Sequence, residues 1–118
     1  MHIENNRYVL EGGADPLLLA EKYDCPLYIY ETAIMKKQYE RLTNAFDLKK
    51  LKINYACKAL NNIAVLKYFK SLGSGLDTVS IQEVNIGLLA GFNPKDIIYT
   101  PNCVSIEEIS MAVDLGVK

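Results

Sequence analysis

The chain has 118 residues, half of them apolar and 23% charged, with 13 basic against 14 acidic side chains. That length fits one domain of ordinary size, able to bury roughly two-thirds of the surface its unfolded form exposes. The apolar content excludes disorder, the net charge of −1 argues against nucleic acid, and no apolar run approaches the roughly 18 residues of a membrane helix.

Met1 to Gly13 lacks the basic-then-apolar order of a signal peptide, so a cytoplasmic location is expected. Residues 1–26 read as a lead-in segment of strand and helix. Within it Asp15-Pro16 opens a helix through Leu17, Leu18, Leu19 and Ala20, with proline in the first turn where a missing N–H costs nothing. Cys25-Pro26 breaks the chain, and Leu27-Tyr28-Ile29-Tyr30 has the composition of a strand. From Thr32 to Phe46, Met35, Tyr39, Leu42 and Phe46 recur on one helix face.

Leu51 to Ala59 returns to period two, with Ile53, Tyr55 and Cys57 on one side and Asn54, Ala56 and Lys58 on the other. A helix is predicted over about Asn62 to Leu72, stopped by Gly73. Leu76 to Val79 reads as a strand, and Ser80 begins a helix that Gly91 ends. Asp96 to Thr100 is again strand-like, and Ser105 starts a last helix that ends at Gly116.

These units repeat. Ser80-Ile81-Gln82-Glu83 and Ser105-Ile106-Glu107-Glu108 match at an offset of 25, as do Gly91 and Gly116. Both Ser-x-x-Glu groups have the form of a capping box, and the glycines suit left-handed helix ends. A repeated strand–helix unit implies parallel strands with helical crossovers. The predicted fold class is α/β.

Cys25, Cys57 and Cys103 are an odd number without a CxxC pair, which supports neither a disulfide framework nor a zinc site. They read as reduced, mostly buried small apolar residues. His2 is the sole histidine and lies near a terminus, so histidine-based triads and metal sites are excluded. Any chemistry must come from Lys, Asp, Glu, Ser, Tyr or a cofactor.

Active sites of α/β sheets and barrels gather at the C-terminal ends of parallel strands. Lys58 lies at that end of the predicted Leu51–Ala59 strand, beside the small Ala56 and polar Asn54. Two readings stand at this point. A partly desolvated lysine becomes nucleophilic and suits Schiff-base chemistry with an aldehyde cofactor. Most lysines, however, are solvated at a rim.

The residues around it discriminate further. Tyr55-Ala56-Cys57-Lys58-Ala59 resembles the Tyr-Ala-x-Lys-Ala signature of the alanine-racemase-like (fold type III) pyridoxal-phosphate enzymes, especially the diaminopimelate decarboxylases. The similarity continues through Asn62-Ile63-Ala64-Val65-Leu66, Leu72 to Ser80 with Glu83 beyond, Leu89-Ala90-Gly91-Phe92 and Ile97 to Asn102, with Pro26 to Tyr30 upstream. Leu60 departs from the family's usual asparagine, and Ile81-Gln82 replaces a Gly-Gly pair.

The resemblance implies that Lys58 holds pyridoxal 5′-phosphate and that Asp77 lies near that lysine and the cofactor. It implies a nearby role for Glu83, which the capping box also explains locally. Asp77 equally suits a turn between strand and helix. The implied reaction is decarboxylation of meso-diaminopimelate to L-lysine, by a homodimer when the enzyme is complete, with no metal.

The implied architecture is a (β/α)8 barrel, for which roughly 200 residues are needed. Residues 27–118 would then hold about three βα units of it, as the N-terminal part of a longer decarboxylase that is inactive when isolated. The family's phosphate loop and its substrate-binding groups find no match here. Alternatives are another basic amino-acid or polyamine-precursor decarboxylase, a racemase, a non-catalytic pseudoenzyme, or a small flavodoxin-like binding domain.

Overall fold

A computed structural model describes residues 1–48 and 50–118, which divide into two compact units, residues 1–47 and 48–118. In the first unit, strands β1 (His2–Glu4) and β2 (Arg7–Val9) form an antiparallel hairpin. Asn5 and Asn6 connect them at φ 49° and 62°, left-handed values that a tight two-residue turn demands and asparagine tolerates. Helix α1 (Pro16–Tyr23) starts as expected, with the Asp15 carboxylate accepting from the Leu17 N–H at 2.8 Å.

The strand expected at residues 27–30 does not form. No strand pairs with this segment among the described residues, and Leu27, Tyr28, Ile29 and Tyr30 are all exposed. A β-rich composition supplies side chains for a pleated surface but not the hydrogen-bonding neighbour that makes a strand. Helix α2 (Thr32–Asn44) follows, with Met35 and Tyr39 half-buried. Leu42 stays exposed, and Phe46 lies beyond the helix end.

The second unit is a three-stranded parallel sheet in the order β3 (Asn54–Ala56), β4 (Gly75–Thr78), β5 (Ile97–Tyr99). Helices α3 (Ile63–Ser71), α4 (Ile81–Leu89) and α5 (Ile106–Asp114) alternate with the strands. The register aligns Tyr55, Leu76 and Ile97 in one row and Ala56, Asp77 and Ile98 in the next. Successive rows face opposite sides of a sheet. The first row meets the helices: Leu76 and Ile97 are fully buried with Leu66 of α3, Val84 of α4 and Ala112 of α5. Each large aliphatic side chain buried in this way contributes about 1.5–3 kcal/mol. The second row, half-buried, lies on the other face of the sheet.

The helix caps fall where the motifs placed them. Asn62, Ser80 and Ser105 accept from backbone N–H groups of the first turns, and Gly73, Gly91 and Gly116 take φ of 89°, 91° and 71° after the helix ends. The caps repeat at 25, yet the strand register pairs residues 21 apart. The difference is a longer loop from Thr100 to Val104 between β5 and its helix, at the C-terminal end of the sheet. Past Gly116, Lys118 donates to the Ile97 carbonyl at 3.0 Å and accepts from the Tyr99 N–H at 2.7 Å, the bonding of a parallel neighbour to β5.

Candidate active site

Strand β3 is shorter than expected. It stops at Ala56, and Cys57–Ala59 form a 3-10 turn, so Lys58 sits just past the strand's C-terminal end rather than inside it. Tyr55 ties this turn down at both ends. Its backbone N–H donates to the Ser74 hydroxyl at 3.1 Å, its ring stacks on Phe69 with centroids 4.1 Å apart, and its hydroxyl donates to the Leu60 carbonyl at 3.2 Å. Leu60 N–H closes the turn on the Cys57 carbonyl at 3.1 Å. Leu60 thus contributes its backbone to the lysine's support.

Cys57 points under the helices and is fully buried, as its place in the alternation predicts. Burial, helped by the nearby Glu83 carboxylate, pushes its thiol up to about 11. Cys25 and Cys103 are exposed, which corrects the expectation of mostly buried cysteines. Both lie outside the helix-covered core, where a small apolar side chain gains little from its composition alone.

Lys58 itself is exposed and makes no hydrogen bond or ion pair among the described residues. The desolvation that would make it nucleophilic is therefore not supplied by these neighbours. Asp77 is half-buried at the C-terminal end of β4, in register with Ala56 on one side and Ile98 on the other. It accepts a hydrogen bond at 2.8 Å from the hydroxyl of Thr100, a residue that no motif in the sequence marks as part of a site. Asp77 is a strand residue of β4 and not a turn aspartate between strand and helix.

Glu83 caps its own helix: its N–H donates to the Ser80 hydroxyl at 3.2 Å, and its carboxylate accepts from the Val79 N–H at 2.9 Å. The reciprocal bond reaches one residue further back than in the usual box. The residues Lys58, Asp77 and Thr100 all lie at one end of the sheet, whereas Glu83 is turned to the backbone before α4 and toward Cys57. No group of three or more potential metal ligands occurs among the described residues, and no described helix is long and apolar enough to cross a membrane.

Parallel strands with helical crossovers, in the order β3-β4-β5, define the class as an α/β protein built of βα units, with Lys58 at the strand ends where sites of such folds gather. Comparison with known proteins supplies the family. Residues 32–118 match the pyridoxal-binding domain of the pyridoxal-dependent decarboxylases. The chain belongs to that family and corresponds to the N-terminal part of the barrel domain.

Among its relatives, the diaminopimelate decarboxylase of Methanothermobacter thermautotrophicus is 38% identical over 120 residues, covering 100% of this chain and 28% of that protein. The crystal structure of diaminopimelate decarboxylase from M. jannaschii in complex with L-lysine aligns with a TM-score of 0.89 at 34% identity, over 98% of this chain and 28% of that one. Ornithine decarboxylase from Entamoeba histolytica aligns with a TM-score of 0.75 at 26% identity, over 86% of this chain and 32% of that one. The chain thus spans roughly a quarter to a third of the length of these relatives.

Proposed function

We propose that the chain forms the lysine-bearing part of a pyridoxal-phosphate-dependent decarboxylase acting on meso-diaminopimelate and releasing L-lysine, as a cytoplasmic homodimer when complete. The observation that carries this reading is the position of Lys58, exposed on a tethered turn just past the C-terminal end of the parallel strand β3. The higher identity to diaminopimelate decarboxylases than to the ornithine enzyme supports the choice of substrate.

The donor set fits an aldehyde cofactor. A primary amine open to the site can bond covalently to a carbonyl, the methyl side chain of Ala56 leaves room beside it, and the Asp77 carboxylate supplies a fixed negative charge one strand over. Lys58 would hold pyridoxal phosphate and release it to the substrate amine. Asp77, with Oδ1 engaged by Thr100, keeps its second oxygen for a cationic or hydrogen-bonding group of the site. Glu83 would act on the site through its charge while retaining its cap. Once bound, the cofactor's pyridine ring accepts the electron pair left when the carboxylate departs.

The test is decarboxylation by the full-length polypeptide that carries this sequence. With meso-diaminopimelate and pyridoxal phosphate it should release carbon dioxide and L-lysine in equal amounts, and Lys58→Ala should abolish the reaction. Preferential turnover of ornithine or arginine would overturn the substrate assignment. Absence of decarboxylation with all three would favour a non-catalytic role.

A further inference from the structure

We infer that Thr100 is a positioning residue for the Asp77 carboxylate, an inference that rests on the cofactor site proposed above. Thr100 is the first residue past β5, and its backbone N–H extends the ladder by donating to the Thr78 carbonyl at 2.8 Å. Asp77 is in register with Ile98, so Thr100, two residues on, returns to the same face of the sheet. From there its hydroxyl donates to Asp77 Oδ1 at 2.8 Å.

That hydroxyl has a single proton to give. Its other acceptor within reach, the Thr78 carbonyl, is 3.4 Å away, near the limit of a hydrogen bond, so the carboxylate takes the proton. The bond engages one carboxylate oxygen and stops the group from rotating about its terminal torsion. The second oxygen is left directed by that constraint. On the β3 side, the register neighbour is Ala56, which offers no polar group. Thr100 is therefore the one side-chain donor to Asp77 among the described residues. Threonine at this position does what neither the strand ladder nor the β3 neighbour can do, which is to orient a carboxylate at the open end of the sheet.

The test is a double-mutant cycle on the full-length polypeptide, read as the dissociation constant of pyridoxal phosphate, with borohydride labelling of Lys58 as the check on the site. Thr100→Val keeps the shape and removes the donor; Thr100→Ser keeps the donor. Thr100→Val should weaken cofactor retention about three- to tenfold, the effect of one net hydrogen bond. Thr100→Ser should stay within about twofold of the parent, and Thr100→Val should add nothing in an Asp77→Ala background. A Thr100→Val protein that binds as the parent does, or whose loss is the same with and without Asp77, overturns the inference. Labelled Lys58 without this coupling removes the inference alone; no labelling at Lys58 in the parent removes the cofactor reading and the inference with it.

Discussion

The hydroxyl of Tyr55 donates to the carbonyl of Leu60, 3.2 Å away, and so spans the turn that carries Lys58. The signature tyrosine and the lysine are thereby linked through the fold as well as through the motif. Tyr55→Phe keeps the ring stacked on Phe69 and removes only this bond. It should lower stability by about 0.5–1.5 kcal/mol, the net worth of one hydrogen bond, and speed hydrogen exchange at the Leu60 amide. Unchanged exchange at Leu60 would show that the turn holds without it.

Gly75 begins β4 where two neighbours crowd it. A Cβ there would clash with the Asn54 side-chain oxygen and lie 2.9 Å from the Asp96 carbonyl, which is backbone and cannot swing aside. Gly75→Ala should destabilise the protein by about 1–3 kcal/mol in denaturant unfolding, the usual cost of overpacking. A stability equal to the parent's would mean that β4 can shift within its register.

The Cys57 thiol is raised from 9.0 to about 11, first by burial and then by Glu83. The unfolded chain, with the lower value, loses its proton first, so between about pH 9 and 11 the native state binds more protons than the unfolded state. This contribution to stability is therefore complete below about pH 9 and is lost as pH rises toward 11. Cys57→Ala should flatten that alkaline loss in unfolding curves. At pH 8 a thiol reagent should modify Cys25 and Cys103 quickly and Cys57 only after unfolding.

The two matching helix starts are not equal. Ser80 shares its cap with the Glu83 carboxylate, which accepts from the Val79 N–H. At the second start, Ser105 accepts from the Glu108 N–H at 3.3 Å, and it is Glu107, held low by its own backbone N–H and then Ser105, that lies beside it. Ser80→Ala should cost about 1 kcal/mol and Ser105→Ala less, within the known range of cap substitutions. Equal losses would show that the two serine caps are equivalent; the Glu83 bond to the Val79 N–H is read separately, as the loss in Glu83→Ala.

Helices were the most legible part of the sequence, because their starts and stops are chemical: Asp15-Pro16, the two serines and the glycines act within a few residues of themselves. Strands depend on neighbours. Leu27 to Tyr30 has strand composition but no partner, and β3 ends before Lys58 because Tyr55 and Leu60 curl the chain into a turn. The hairpin of residues 2–9 carried a signal in Asn5-Asn6 between two short apolar-polar runs, which a search for two-residue turns would find. The positions of Lys58 and Asp77 at the strand ends followed from the strand pattern, while their roles rest on the resemblance alone. Thr100 was not legible, since its bond to Asp77 crosses 23 residues and follows only from the register of β4 on β5.

Whether Lys58 carries the cofactor, as proposed, can be read directly. The direct measurement is borohydride reduction of the full-length polypeptide with pyridoxal phosphate, followed by peptide mass mapping. One reduced phosphopyridoxyl group is expected on the peptide containing Lys58, and none in Lys58→Ala. Labelling at other lysines with Lys58 unmodified, or no labelling at all, would contradict the proposal.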